Sequence, residues 1–164
     1  MSVSETAAVA PALKLNFLSH GTLESTDLEA SRRFYADFLG FEVVRTSPIS
    51  LLLRLGGKQV IVVVQVSEKS PMAMLNHYGL DVSTKAEVDA AYATIVAQQD
   101  QWHIGKVTRP AEQHGTYSFF FWDGDENCWE ILTNPKDGYT WAFERGDQAG
   151  KGHLDTGFRP DTHG

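Results

Sequence analysis

The chain has 164 residues, 42% of them hydrophobic, enough to fill the core of one compact domain. Fourteen Lys and Arg against 21 Asp and Glu give a net charge of −7, which disfavours nucleic-acid and anionic-membrane partners because both need a basic footprint. No apolar run reaches the length of a membrane span. A single cysteine, Cys128, excludes an intrachain disulfide and suits a reducing compartment, so a cytoplasmic protein is expected.

Residues 1–12, MSVSETAAVAPA, lack the basic start and apolar centre of a signal peptide and read as a disordered leader. Leu13 to Leu23 alternates as a strand. Leu28 to Leu39 places Leu28, Tyr35, Phe38 and Leu39 at helical spacing, with Thr26 or Asp27 to cap it and Gly40 to end it. Three short aliphatic runs follow, FEVVRTS, SLLLRL and KQVIVVVQV, broken by Ser47-Pro48 and Gly56-Gly57. The first half therefore reads βαβββ. A short linker, residues 67–73, leads into a second copy of that pattern. LNHYGLDV is a strand, and Thr84-x-x-Glu87 opens a helix burying Val88, Ala91, Tyr92, Ile95 and Val96. IGKVTRP, TYSFFFWD and CWEILT then read as strands, with Asp123 to Asn127 as the last turn. The fold expected is α+β: two tandem βαβββ modules, 13–66 and 74–134, in one domain (13–134) whose curved mixed sheet surrounds a metal site. Residues 135–164 form a C-terminal extension.

The two opening strands carry the same signature 57 positions apart: His20 and His77, each with Leu three residues later and an acid four later. If the modules pair about a pseudo-twofold axis, the equivalent histidines approach each other. Glu130 lies between apolar Trp129 and Ile131, where a buried carboxylate is costly without a partner. On an alternating strand it shares a face with Cys128 and Leu132. Two imidazoles and a carboxylate leave coordination positions open on a first-row metal, an arrangement that suits Fe(II) in oxygenases and also takes Mn, Ni or Zn.

The run HGTLESTDLEASRRFYADFLGFEVV resembles the opening motif of the vicinal oxygen chelate superfamily, through His20, Asp27-Leu28, Ser31, Phe34-Tyr35 and Leu39-Gly40-Phe41. The closing DGDENCWEI is similar to that superfamily's last turn and strand, with Glu130 at the ligand position. The resemblance spans about Leu13 to Asn134. It implies a metal held by His20, His77 and Glu130, a small-molecule substrate and a homodimer. The last strand of the first module has no carboxylate before Glu68, so the set His, His, Glu looks more like the type I extradiol dioxygenases than the four-ligand isomerases. The leading expectation is thus a dioxygenase-like enzyme opening a catechol-like aromatic with Fe(II) and O2. The alternatives are a glyoxalase-type metal-dependent isomerase or lyase, and a non-catalytic, resistance-type binding protein.

Two departures from the extradiol pattern stand out. Gln59 or Lys58 occupies the place of a second-sphere histidine, and Phe120 that of a substrate-contacting tyrosine. His114, in the loop Ala111 to Gly115, and Gln59 are therefore the candidates for proton handling. Ser118, Phe120 and Trp122 share one strand face and are expected to line the substrate pocket, whereas Tyr117 faces away. Cys128 reads as a small buried hydrophobe. His103 reads as solvated, His153 and His163 sit in a Gly-rich tail that reads as an extended arm or disorder, and the aromatic-rich Gly138 to Asp147 reads as packing across the sheet mouth or onto a partner subunit.

Overall fold

The computed structural model describes residues 11–113, 115–134 and 138–147. It has the expected α+β architecture, with each module contributing one four-stranded sheet. In the first module, β1 (His20–Ser25), α1 (Leu28–Arg33), β2 (Glu42–Ser47), β3 (Ser50–Arg54) and β4 (Val60–Gln65) build a sheet of order β1-β4-β3-β2. In the second, β5 (Tyr78–Val82), α2 (Lys85–Ala97), β6 (Ala111–Gln113), β7 (Thr116–Trp122) and β8 (Cys128–Thr133) build the order β5-β8-β7-β6. A short helix α3 (Thr140–Arg145) follows. In both sheets the first strand runs parallel to the last, β1 with β4 and β5 with β8, and the other pairs are antiparallel.

The Asp27 side chain caps α1 by accepting from the N–H groups of Glu29 and Ala30, satisfying two orphan donors of the first turn. The helix then widens into a π-helical turn, Phe34–Phe38, before Gly40 leaves it at φ +78°, where a Cβ is unfavourable. Thr84 and Glu87 close the expected capping box at the start of α2.

Three boundaries differ from the sequence reading. The strand expected over Leu13 to Leu23 starts only at His20, because its ladder partner β4 starts opposite it at Val60. Leu13, Leu15, Phe17 and Leu18 are left exposed. A 3₁₀ turn, Met74–Asn76, replaces the start of the strand expected at Leu75, and His77 sits at the corner before β5. Residues 104–110 touch β7 through one bridge, Val107 with Phe121. Their regular pairing is broken where the Gly105 N–H binds the Trp122 carbonyl while the Trp122 N–H binds Lys106, and Pro110 has no N–H to give. The ladder resumes at β6, inside the segment assigned to a loop.

An aromatic seam joins the modules. Trp129, fully buried on β8, packs against Tyr35 (5.7 Å between ring centroids) and Phe41 (5.8 Å), and Trp102 covers Phe34 and Phe38. Two carboxylates of the β7–β8 turn tie the seam down. Tyr35 Oη and Trp129 Nε1 donate to Asp123 Oδ2 at 2.7 and 3.0 Å. Asp125 accepts from the Thr26 N–H and from the hydroxyls of Thr26 and Ser31. Strands β1 and β5 also meet closely: a Cβ on Gly21 would lie 2.0 Å from Tyr78 Oη, so only glycine admits the ring.

Candidate metal centre

Directly paired residues of neighbouring strands share a sheet face. The register pairs Phe120 with Glu130, Ser118 with Leu132, Trp122 with Cys128 and Gly79 with Glu130. One face of the second sheet therefore presents Ser118, Phe120 and Trp122 beside Cys128, Glu130 and Leu132, as the alternation implied. The other face presents Phe119, Phe121 and Ile131 to the core, where Tyr92 of α2 meets Phe119 edge-on at 5.5 Å. Tyr117 turns to that side and donates to Asp89 of α2 at 2.8 Å.

His77 and Glu130 come together on the first of these faces. Nε2 of His77 lies 3.1 Å from Oε2 of Glu130, and Glu130 is only 6% exposed. The other ring nitrogen, Nδ1, is 2.5 Å from the Met74 carbonyl, which can only accept, so Nδ1 carries the proton. A neutral ring then turns the Nε2 lone pair towards a carboxylate oxygen. Two acceptors at this distance need a proton or a cation to join them. Metal–ligand bonds of about 2.1 Å at right angles would separate two ligand atoms by about 3.0 Å. The pair therefore fits two adjacent positions on a divalent ion, and the Nδ1–H bond to a backbone carbonyl is the usual way to orient a ligating imidazole. The edge of Phe120 packs on the His77 ring, centroids 4.9 Å apart, which shields one side from water.

The third expected ligand does not join them within this chain. His20 is exposed, its Nδ1 2.7 Å from Ser19 Oγ, and no three His, Cys, Asp or Glu side chains converge as a metal set among the described residues. Gln59 and His77 line the same seam cavity, of about 520 Å³, with Phe41, Tyr78, Asp81 and Trp129. Ser118 is buried and accepts from Gln113 Nε2 at 2.7 Å. His114, His153 and His163 lie outside the described residues.

Sequence reasoning passed over Tyr139. Tyr139 is about half exposed; partial burial of its phenol, with the Glu130 and Asp81 charges adding, raises it above the ordinary range against a hydrogen bond from Asn134. Asn134, at the end of β8, is buried with its Oδ1 unpartnered among the described residues. The only hint in the sequence was the density of aromatics after residue 138. A second cavity, about 410 Å³, lies on the other side of the seam against Asp123 and Asp125. Those carboxylates already serve the junction, so it is a structural cleft.

The family model for the glyoxalase/bleomycin resistance protein/dioxygenase superfamily matches residues 18–143, and the chain belongs to that superfamily. Among solved structures it is similar to the fosfomycin resistance protein FosX from Listeria monocytogenes, complexed with Mn(II) and sulfate ion. That match has 20% identity and a TM-score of 0.61, and covers 79% of this chain and 99% of the other. Lactoylglutathione lyase from Agrobacterium tumefaciens is 21% identical, with a TM-score of 0.54 over 76% of this chain and 95% of its own. A glyoxalase/bleomycin resistance protein/dioxygenase from Nocardioides is 20% identical, with a TM-score of 0.58 over 77% and 89%. At these identities the likeness shows the fold. No curated protein matches the chain.

Proposed function

We propose that this chain is a divalent-metal-dependent enzyme of the isomerase or lyase type, acting on a small molecule that chelates the metal through oxygen. The observation that carries this reading is the Nε2–Oε2 pair of His77 and Glu130, 3.1 Å apart with the imidazole tautomer fixed from behind. His77 and Glu130 are the residues that would hold the ion. The ion supplies Lewis acidity, polarising a substrate oxygen and stabilising enolate-like charge. The chain's own groups do the rest. Phe120 and the buried face around Glu130 exclude water, which strengthens every charge interaction there. Gln59 offers an amide to orient a ligand in the seam cavity.

The ring-opening dioxygenase is the second reading, favoured by the donor types alone, since two histidines and a carboxylate suit Fe(II). Against it, Phe120 brings an apolar edge to His77 where a ring-cleaving enzyme of this pattern would present a phenol. Two relatives are named for reactions or ions that need no oxygen, a lactoylglutathione lyase and a fosfomycin resistance protein with Mn(II).

The third ligand, on this reading, comes from a second copy of the chain. The site is incomplete without His20, and the exposed apolar run Leu13, Leu15, Phe17 and Leu18 leads directly into it. Metal content of anaerobically purified protein, beside His77→Ala and Glu130→Gln, tests the centre. Near-stoichiometric Mn, Ni or Zn that disappears in both variants is the expected result. Iron with oxygen uptake on catechols would transfer the assignment to the dioxygenase. No metal after reconstitution would leave a binding module. Mixing His20→Ala with His77→Ala subunits tests the shared site: in a heterodimer one of the two sites regains all three ligands, so metal binding absent from each variant alone should return.

A further inference from the structure

The metal face would be purely acidic if only Glu130 and Asp81 marked it, but the irregular edge beside β7 brings a cation onto it. The bridge between Val107 and Phe121 sets Lys106 opposite Trp122 and Thr108 opposite Phe120, on the face that carries Glu130. The side chain confirms that placement: Lys106 Nζ stands 5.3 Å from the centroid of the Trp122 ring. The contrast with Lys85 is instructive. Lys85 lies 5.7 Å from the Tyr117 ring and also pairs with Glu112, whereas Lys106 has the indole face and no carboxylate partner among the described residues. An ammonium aimed by a ring, with its charge uncompensated among the described residues, is available to a ligand.

Strand spacings put the Cα atoms of Lys106 and Glu130 about 12 Å apart: two strands across and two residues along. A lysine side chain leaning inwards leaves a gap that a small molecule can span. With a divalent ion at His77 and Glu130, ion, carboxylate and lysine together leave the face cationic.

We infer that Lys106 is a specificity-determining residue of this site, and that the ligand is a small oxyanion, a carboxylate or a phosph(on)ate, bound with one end towards His77 and Glu130 and its negative charge towards Lys106. This inference rests on the metal-centre reading and names the substrate class for it. The net charge of −7 makes the point sharper, because the rest of the molecule repels such a ligand.

Mn(II)-loaded protein titrated with inorganic phosphate, benzoate and uncharged benzamide, followed by tryptophan fluorescence at 0.15 M salt, tests it. Wild type should bind one of the two anions at least ten-fold more tightly than Lys106→Gln does, with Lys106→Arg recovering most of the difference. Benzamide should be unaffected. Preference for phosphate or for benzoate identifies which oxyanion the site takes. Mn(II) affinity should be the same in wild type and both variants, and Lys85→Gln, which removes the lysine over Tyr117 on the side away from Glu130, should leave anion binding intact. Equal anion affinity in wild type and Lys106→Gln, or an equal loss in Lys85→Gln, overturns the inference while leaving the metal centre standing. Failure of wild type to take up Mn(II) overturns the metal centre instead. The same titration of metal-free protein then still decides whether Lys106 draws anions to this face.

Discussion

Single residues in the β7–β8 turn decide how this molecule responds to pH. Burial works to raise the Asp125 carboxyl, but the hydrogen bonds from the Thr26 N–H and from the Ser31 and Thr26 hydroxyls outweigh it and hold it below the ordinary carboxylate range. A value depressed in the folded state contributes stability above the unfolded value of about 4, and that stability is lost as pH falls through the folded value. Asp123 has the opposite sign. Burial raises it despite the bonds from Trp129, Tyr35 and Asn127, so its contribution is present below the unfolded value and fades as pH rises through the folded one. Asp125→Asn should therefore lower stability at neutral pH and flatten the loss of stability below pH ~4, as read by urea unfolding across that range. Cys128 carries a second expectation: burial, with Glu130 adding, pushes its thiol up to about 11. Folded protein at pH 8 should resist Ellman's reagent and react fully in guanidinium chloride, since the thiolate is the reactive form. Neither aspartate was legible as a junction residue, because a run such as Asp123-Gly124-Asp125-Glu126-Asn127 reads locally as an exposed turn. Its partners Thr26, Ser31 and Tyr35 lie some ninety residues away in the chain.

Among the elements, those with strong local signals appeared where expected. The Thr84–Glu87 box starts α2 because both halves of the reciprocal cap are present in the sequence, and Thr84→Ala should cost about 1 kcal/mol in urea unfolding, with Thr84→Ser retaining most of it. Strands β7 and β8 followed their alternation, and their register delivered Ser118, Phe120 and Trp122 to the face of Glu130. Elements whose limits depend on a partner were misread. β1 is short because β4 offers it no ladder before Val60, and 104–110 is irregular because β7 receives it through Gly105, Lys106 and Pro110. That same irregularity places Lys106 over Trp122.

At the scale of the molecule, the modules are held by one aromatic and carboxylate seam and by the close approach of β1 to β5. Gly21→Ala would drive a methyl into Tyr78, with its nearest ring atoms at 2.0 to 2.7 Å. The expected loss is about 1–3 kcal/mol. Tyr78→Leu in the same chain should recover part of it, so a double-mutant cycle should give a coupling of about 1 kcal/mol or more. Additive effects would mean that the two strands do not meet in solution as they do here. No helix among the described residues is long and apolar enough to cross a membrane.

The sequence by itself carried the tandem βαβββ plan, through periodicity and a repeated motif, and the superfamily, through the likeness of its opening and closing motifs. Tertiary structure alone decided which of the three candidate ligands meet in one chain. It set the imidazole of His77 by a bond to the Met74 carbonyl and turned two turn aspartates into the link between modules. For the aspartates the physical reason is that their contacts join segments far apart in the chain. Their geometry is fixed by how the two sheets pack, and local composition and spacing carry no record of that.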